Sequence, residues 1–101
     1  MNNLEKLQEW YLKQCNGKWE HTRGIKIDSL DNPGWLVQID LIGTALEGKR
    51  FKEILEGIDK NGHPDSDIWI HCKVIGNKFK GAGDPTKLDR IIEIFLMWAE
   101  M

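Results

Sequence analysis

The sequence predicts an α+β fold: a single domain, residues 1–101, in which an antiparallel sheet of four to five strands has the N- and C-terminal helices packed on one face. Three observations lead there. The stretch Gly34 to Gly43 alternates, with Trp35, Val37, Ile39 and Leu41 on one side and Leu36, Gln38, Asp40 and Ile42 on the other. Each end of the chain carries an apolar stripe at three- and four-residue steps. Between these stripes, short alternating runs are separated by Gly, Pro and Asn turn signals. A strand with one continuous apolar face and one mixed face suits the middle of a sheet that helices cover on one side and water meets on the other.

Residues 2–16 read as the first helix, capped by Asn2 or Asn3 and stopped by Asn16-Gly17. Its inner stripe is Leu4, Leu7, Trp10, Tyr11 and Cys15, and Glu5, Lys6, Glu9 and Lys13 take the wet side. From Lys18 to Leu30 the period shortens to two, which predicts a strand, most securely over its second half. Asp31-Asn32-Pro33-Gly34 is a turn, with Pro setting the first dihedral and Gly accepting positive φ, so this strand and the central one form a hairpin. Thr44 to Arg50 reads as a loop. Phe51 to Ile58 fits a helical stripe or a strand, and the strand is preferred because eight residues broken by Gly57 make a poor isolated helix.

Asp59 to Asp67, with Asn61-Gly62 and Pro64, is an exposed loop. Ile68 to Ile75 alternates, placing Ile68, Ile70, Cys72 and Val74 inward and Trp69, His71, Lys73 and Ile75 outward. Gly76-Asn77 turns it into a short strand around Lys78 to Gly81, a second hairpin. The last helix follows, with Asp84 or Thr86 as its cap, Pro85 in the first turn, and a wide stripe of Leu88, Ile91, Ile92, Phe95, Leu96 and Ala99.

Composition narrows the function classes. Hydrophobic content of 41% with 30% charged residues is that of an ordinary globular domain, and no run approaches the roughly 18 apolar residues of a membrane span. Met1 to Lys13 lacks the apolar core of a signal peptide, and two cysteines, Cys15 and Cys72, are too few for a disulfide scaffold; both point to a cytoplasmic protein with reduced thiols. Fourteen basic against sixteen acidic side chains, spread along the chain, argue against direct binding of nucleic acid.

No catalytic or cofactor signature emerges. Cys15, His21, His63, His71 and Cys72 offer no metal-ligand spacing, and adjacent His71 and Cys72 point to opposite faces of a strand. The run from Gly76 to Gly83 lacks the Lys and Ser/Thr of a phosphate loop, and Asp84 would repel phosphate. A hydrolase or transferase using His71 with Asp40 or Asp28 is the enzymatic alternative, but an open sheet face keeps water and gives little reason for a shifted pKa.

The outward face itself is the better candidate. Glu20, Thr22, Asp28, Gln38, Asp40, Trp69, His71 and Lys73 would look out together, and a Trp ringed by acids and amides has the composition of an interface. The partner-binding set so predicted is Asp28, Gln38, Asp40, Asp65, Asp67, Trp69 and His71.

Several motifs carry a resemblance. Leu4-x-x-Leu7-x-x-Trp10-Tyr11, Cys15-Asn16-Gly17-x-Trp19-Glu20-His21, Gly24-Ile25-x-Ile27, Asp31-Asn32-Pro33-Gly34-Trp35, Trp69-Ile70, and Phe79-x-Gly81-x-Gly83 before a helix ending in Trp98 resemble the immunity protein 53 family over nearly the whole chain. The loop from Lys60 to Asp67 departs from it by expansion. The resemblance implies a bacterial polymorphic toxin system, in which a small cytoplasmic protein binds a cognate toxin domain stoichiometrically, with no turnover and no cofactor. It assigns no binding residue. If that toxin is a basic nuclease, Asp28 and Asp40 would imitate phosphates and speed association.

Overall fold

A computed structural model describes residues 1–101. Helix α1 (Asn3–Gln14) begins at Asn2, whose side chain accepts the Glu5 N–H at 2.8 Å while Glu5 returns a bond to the Asn2 N–H at 3.2 Å. Two of the orphan donors at the helix start are thereby satisfied. A helical turn, α2 (Trp19–Thr22), precedes strands β1 (Ile25–Leu30), β2 (Gly34–Asp40), β3 (Ile54–Glu56), β4 (Ile70–Ile75) and β5 (Lys78–Gly83), and helix α3 (Leu88–Ala99) closes the chain. The five strands form one antiparallel sheet in the order β1-β2-β5-β4-β3, so β5 inserts between the two ends of the sheet and pairs β2 with β4.

Both hairpins form. β4 and β5 are joined through Gly76 and Asn77, with φ of 61° and 59°, the paired left-handed conformation whose twist matches that of the flanking strands. The β1–β2 turn differs in detail from the expectation. Its Asn32–Pro33 peptide bond is cis, and Gly34 is already part of β2. Gly34 is glycine because a Cβ there would lie 2.4 Å from the Gly83 carbonyl oxygen.

One face of the sheet is buried. Val37, Ile39, Phe79, Ile70 and Cys72 pack with Ile91, Ile92, Phe95, Leu96 and Trp98 of α3 in a single cluster that α1 joins through Leu7 and, at its margin, Trp10. α3 lies directly on β2 and β5, and α1 lies mainly against α3, with the Trp10 and Phe95 rings edge to face at 5.0 Å. The close seat of α3 depends on Gly81, where a Cβ would approach Ile91 Cγ2 to 2.4 Å. The far end of α3 is tied to the loop before β3: the Trp98 indole donates to the Arg50 carbonyl at 2.7 Å, and Lys49 Nζ donates to the Trp98 carbonyl at 2.8 Å.

Three expectations require correction. The strand predicted from Lys18 begins only at Ile25, because Trp19–Thr22 is held as a helical turn. Asn16 Oδ1 accepts the N–H groups of Lys18 and Trp19, both at 2.9 Å, and the Glu20 carboxylate accepts those of Asn16 and Gly17. Backbone N–H groups of Glu20 itself, Asn16 and Gly17 hold that carboxyl below its usual range. Glu20 therefore belongs to this turn and not to the sheet face. Second, α3 starts at Leu88, after the cap residue Lys87, whose side chain makes no capping bond, so neither Asp84 nor Thr86 caps it. Third, Trp69 is buried, at 7% exposure, and its neighbour Ile68 is 67% exposed, the reverse of the parity expected. The alternation is valid only from Ile70, where pairing with β5 begins.

Candidate interaction face

The face opposite the helices is built in rows across the strands, since directly paired residues share a side. The first row runs Asp28, Leu36, Ala82, His71 and Leu55; the second runs Lys26, Gln38, Lys80 and Lys73; the third runs Asp40, Lys78 and Ile75. Asp28, Gln38, Asp40 and His71 thus stand on one face as the alternation predicted. Asp65 and Asp67 lie exposed in the loop between β3 and β4. Trp69 is covered, with its ring near Gly34: a Cβ on Gly34 would meet Trp69 Cζ2 at 3.3 Å. The exposed aromatic expected at the centre of the face is absent.

Asp40 and His71 do not stand free. Asp40 Oδ2 accepts the Gly24 N–H at 2.9 Å and its Oδ1 lies 3.8 Å from Lys78 Nζ, so this carboxylate fastens the start of β1 to β2. His71 Nε2 lies 2.5 Å from Glu53 Oε2, a partner that period-two reading had not singled out. Asp28 stands three strand spacings from His71, roughly 14 Å, and Asp40 stands two strands across and four residues along. Neither reaches the imidazole, so the His71 pairing required of the enzymatic alternative does not form.

Sequence reading set Lys73 on this face but did not bring out the lysines that join it there. Lys26, Lys73, Lys78 and Lys80 converge on this face, with Lys73 and Lys80 directly opposite each other and Gln38 between Lys80 and Lys26. The signal available was the Lys-x-Lys of residues 78 and 80 on the outward side of β5. Beside them a depression of about 340 Å³ is lined by Arg23, Lys26, Gln38, Asp40 and Lys78 among others. His71 is not part of it.

Sequence reading took Asp84 for a helix cap; it is the one charged side chain in the interior, at 2% exposure. It accepts the Trp69 N–H at 2.9 Å, the Thr86 N–H at 2.8 Å and the Thr86 hydroxyl at 2.6 Å, with Lys87 Nζ at 3.0 Å. Burial opposes its charge, but these donors outweigh burial and hold the carboxyl well below the usual carboxylate range. The Cys72 thiol is pushed up to about 12 by burial, which leaves it protonated and unreactive. No group of three His, Cys, Asp or Glu side chains is placed to hold a metal ion. No helix is long and apolar enough to cross a membrane.

The family described as Immunity protein 53 matches residues 4–100 of the 101. Comparison with curated proteins and with solved structures yields no significant match.

Proposed function

The chain belongs to the Immunity protein 53 family, and from that premise we propose that it protects its cell by binding a cognate toxin domain and blocking it stoichiometrically, without turnover. The family match over residues 4–100 is the observation that carries this reading. The toxin acts in the cytoplasm, where this protein meets it.

The open sheet face is the docking surface, with the loop bearing Asp65 and Asp67 at its rim. Size supports using both. Five strands span roughly 19 Å and six residues of strand roughly 20 Å, so the sheet offers about 400 Å² in plan. A specific complex covers about 800 Å² on each partner, and flanking loops make up the difference. Asp28 and Gln38 lie within that footprint, His71 is held at its border by Glu53, and Asp40 and Trp69 contribute by fixing the strands beneath it.

The test is a titration of toxin activity. The cognate toxin domain is held at fixed concentration while this protein is added. Stoichiometric blockade gives a linear fall that ends at one equivalent. Complete inactivation at a small fraction of an equivalent would identify catalytic destruction of the toxin instead, and undiminished activity at excess would remove the immunity reading.

A further inference from the structure

We propose that the open sheet face is a cationic dock for an acidic surface of the toxin domain, centred on the row Lys26, Lys80 and Lys73. This rests on the immunity reading and adds the chemistry of the partner. Lys73 and Lys80 are cross-strand neighbours on the same side of the sheet, an arrangement that destabilises a sheet by like-charge repulsion. None of Lys26, Lys73 or Lys80 has a carboxylate within 4.0 Å; the only ion pairs are His71–Glu53, Lys78–Asp40, Lys87–Asp84 and Arg90–Glu93. Three ammonium groups in one row with no paired carboxylate, in a chain whose net charge is −2, are a local concentration of positive charge complementary to an acidic partner.

The depression at the β1 end of this row gives the anion a seat. Arg23, Lys26 and Lys78 face it, and the single acid on its wall, Asp40, is already engaged by the Gly24 N–H and Lys78. A carboxylate side chain projecting from the toxin domain fits its volume of about 340 Å³ and its charge. A protein surface fits better than nucleic acid. The row is only roughly 14 Å long, whereas a duplex carries a phosphate charge about every 1.7 Å along its axis and would also lie against Asp28, in the row beside Lys26. Point-like acids on a folded partner avoid that clash.

The experiment measures association with the cognate toxin domain by stopped flow at low and high salt, for the wild type, Lys80→Glu, Lys80→Gln, and Lys13→Glu on α1 as a remote control. The wild type is expected to bind, with a rate that falls as salt rises. Lys80→Glu is expected to slow association by about tenfold or more and flatten the salt dependence, Lys80→Gln to slow it by about threefold, and Lys13→Glu to change neither. Thermal melts accompany the series; should Lys80→Glu fail to fold, the Lys80→Gln rate decides. A wild type that binds and a Lys80 variant that binds equally fast would overturn the cationic dock and leave the immunity reading standing. A wild type that fails to bind would overturn the immunity reading and the dock with it. Displacement of the toxin domain by a short DNA or RNA duplex at physiological salt would reassign the face to nucleic acid.

Discussion

Asp84 and Trp69 bind each other through both chain directions: the Asp84 carboxylate accepts the Trp69 N–H at 2.9 Å, and the Asp84 N–H donates to the Trp69 carbonyl at 3.1 Å. The end of β5 is thereby locked to the start of β4, and the segment leading into α3 is set by the same carboxylate through Thr86 and Lys87. Asp84 is the one buried charge in the fold, and this junction depends on the donors that surround it.

Replacing Asp84 by Asn leaves the Trp69 and Thr86 donors with a weaker acceptor and Lys87 without a counter-charge, so a loss of about 2–4 kcal/mol is expected in denaturant unfolding. The pH dependence has a defined sign. Asp84 has a lower pKa folded than its ordinary 3.8, so its stabilisation is complete above that value and drains away as pH falls below it. The wild type should lose stability steeply on acidification below about pH 4, and Asp84→Asn should lose much less. Equal acid slopes in the two proteins would contradict this role.

Gly81→Ala tests how α3 is seated. The added methyl would come within 2.4 Å of Ile91 Cγ2 and 3.1 Å of Phe79 Cε2, so the helix must shift away from β5. Overpacking of this kind costs about 1–3 kcal/mol. An unchanged melting temperature would mean that α3 has slack that the packing does not show.

Thiol reactivity separates the two cysteines. Burial raises the Cys72 pKa to about 12, whereas Cys15 is half-buried at the end of α1. One thiol should react with a disulfide reagent in the native protein and two after unfolding. Rapid modification of both in the native state would show β4 opening on its own.

Much of this fold was legible because its signals are local. The cap at Asn2, the alternation from Gly34 to Asp40 and the Gly76-Asn77 turn each act within a few residues, and each appears where the sequence places it. The misreadings at Trp19, Trp69 and Asp84 share a different cause. Trp19 is fixed by Asn16 and by donation of its indole N–H to the Ile42 carbonyl at 2.8 Å, and Trp69 by Asp84 fifteen residues on, partners that period-two counting does not consult. The face illustrates the same limit. Its parity was readable strand by strand, but Lys80, which the local β4–β5 turn sets opposite Lys73, meets Gln38 only because β5 also pairs with β2, a non-local choice.

The Lys73–Lys80 pair predicts a stability effect independent of any partner. Lys80→Glu replaces a repulsive cross-strand neighbour of Lys73 with an attractive one, and the free protein should gain about 0.2–1 kcal/mol. A gain in stability together with slower toxin association would be the mark of a residue kept for binding. A loss of stability would mean that the Lys80 stem packs on the sheet more than its charge repels.

Titration calorimetry of this protein against its cognate toxin domain tests the central claim most directly. One-to-one association in the nanomolar range, with toxin activity lost in the same titration, is the predicted result. Absence of binding heat together with an unimpaired toxin would contradict the assignment of this chain as a toxin-neutralising partner.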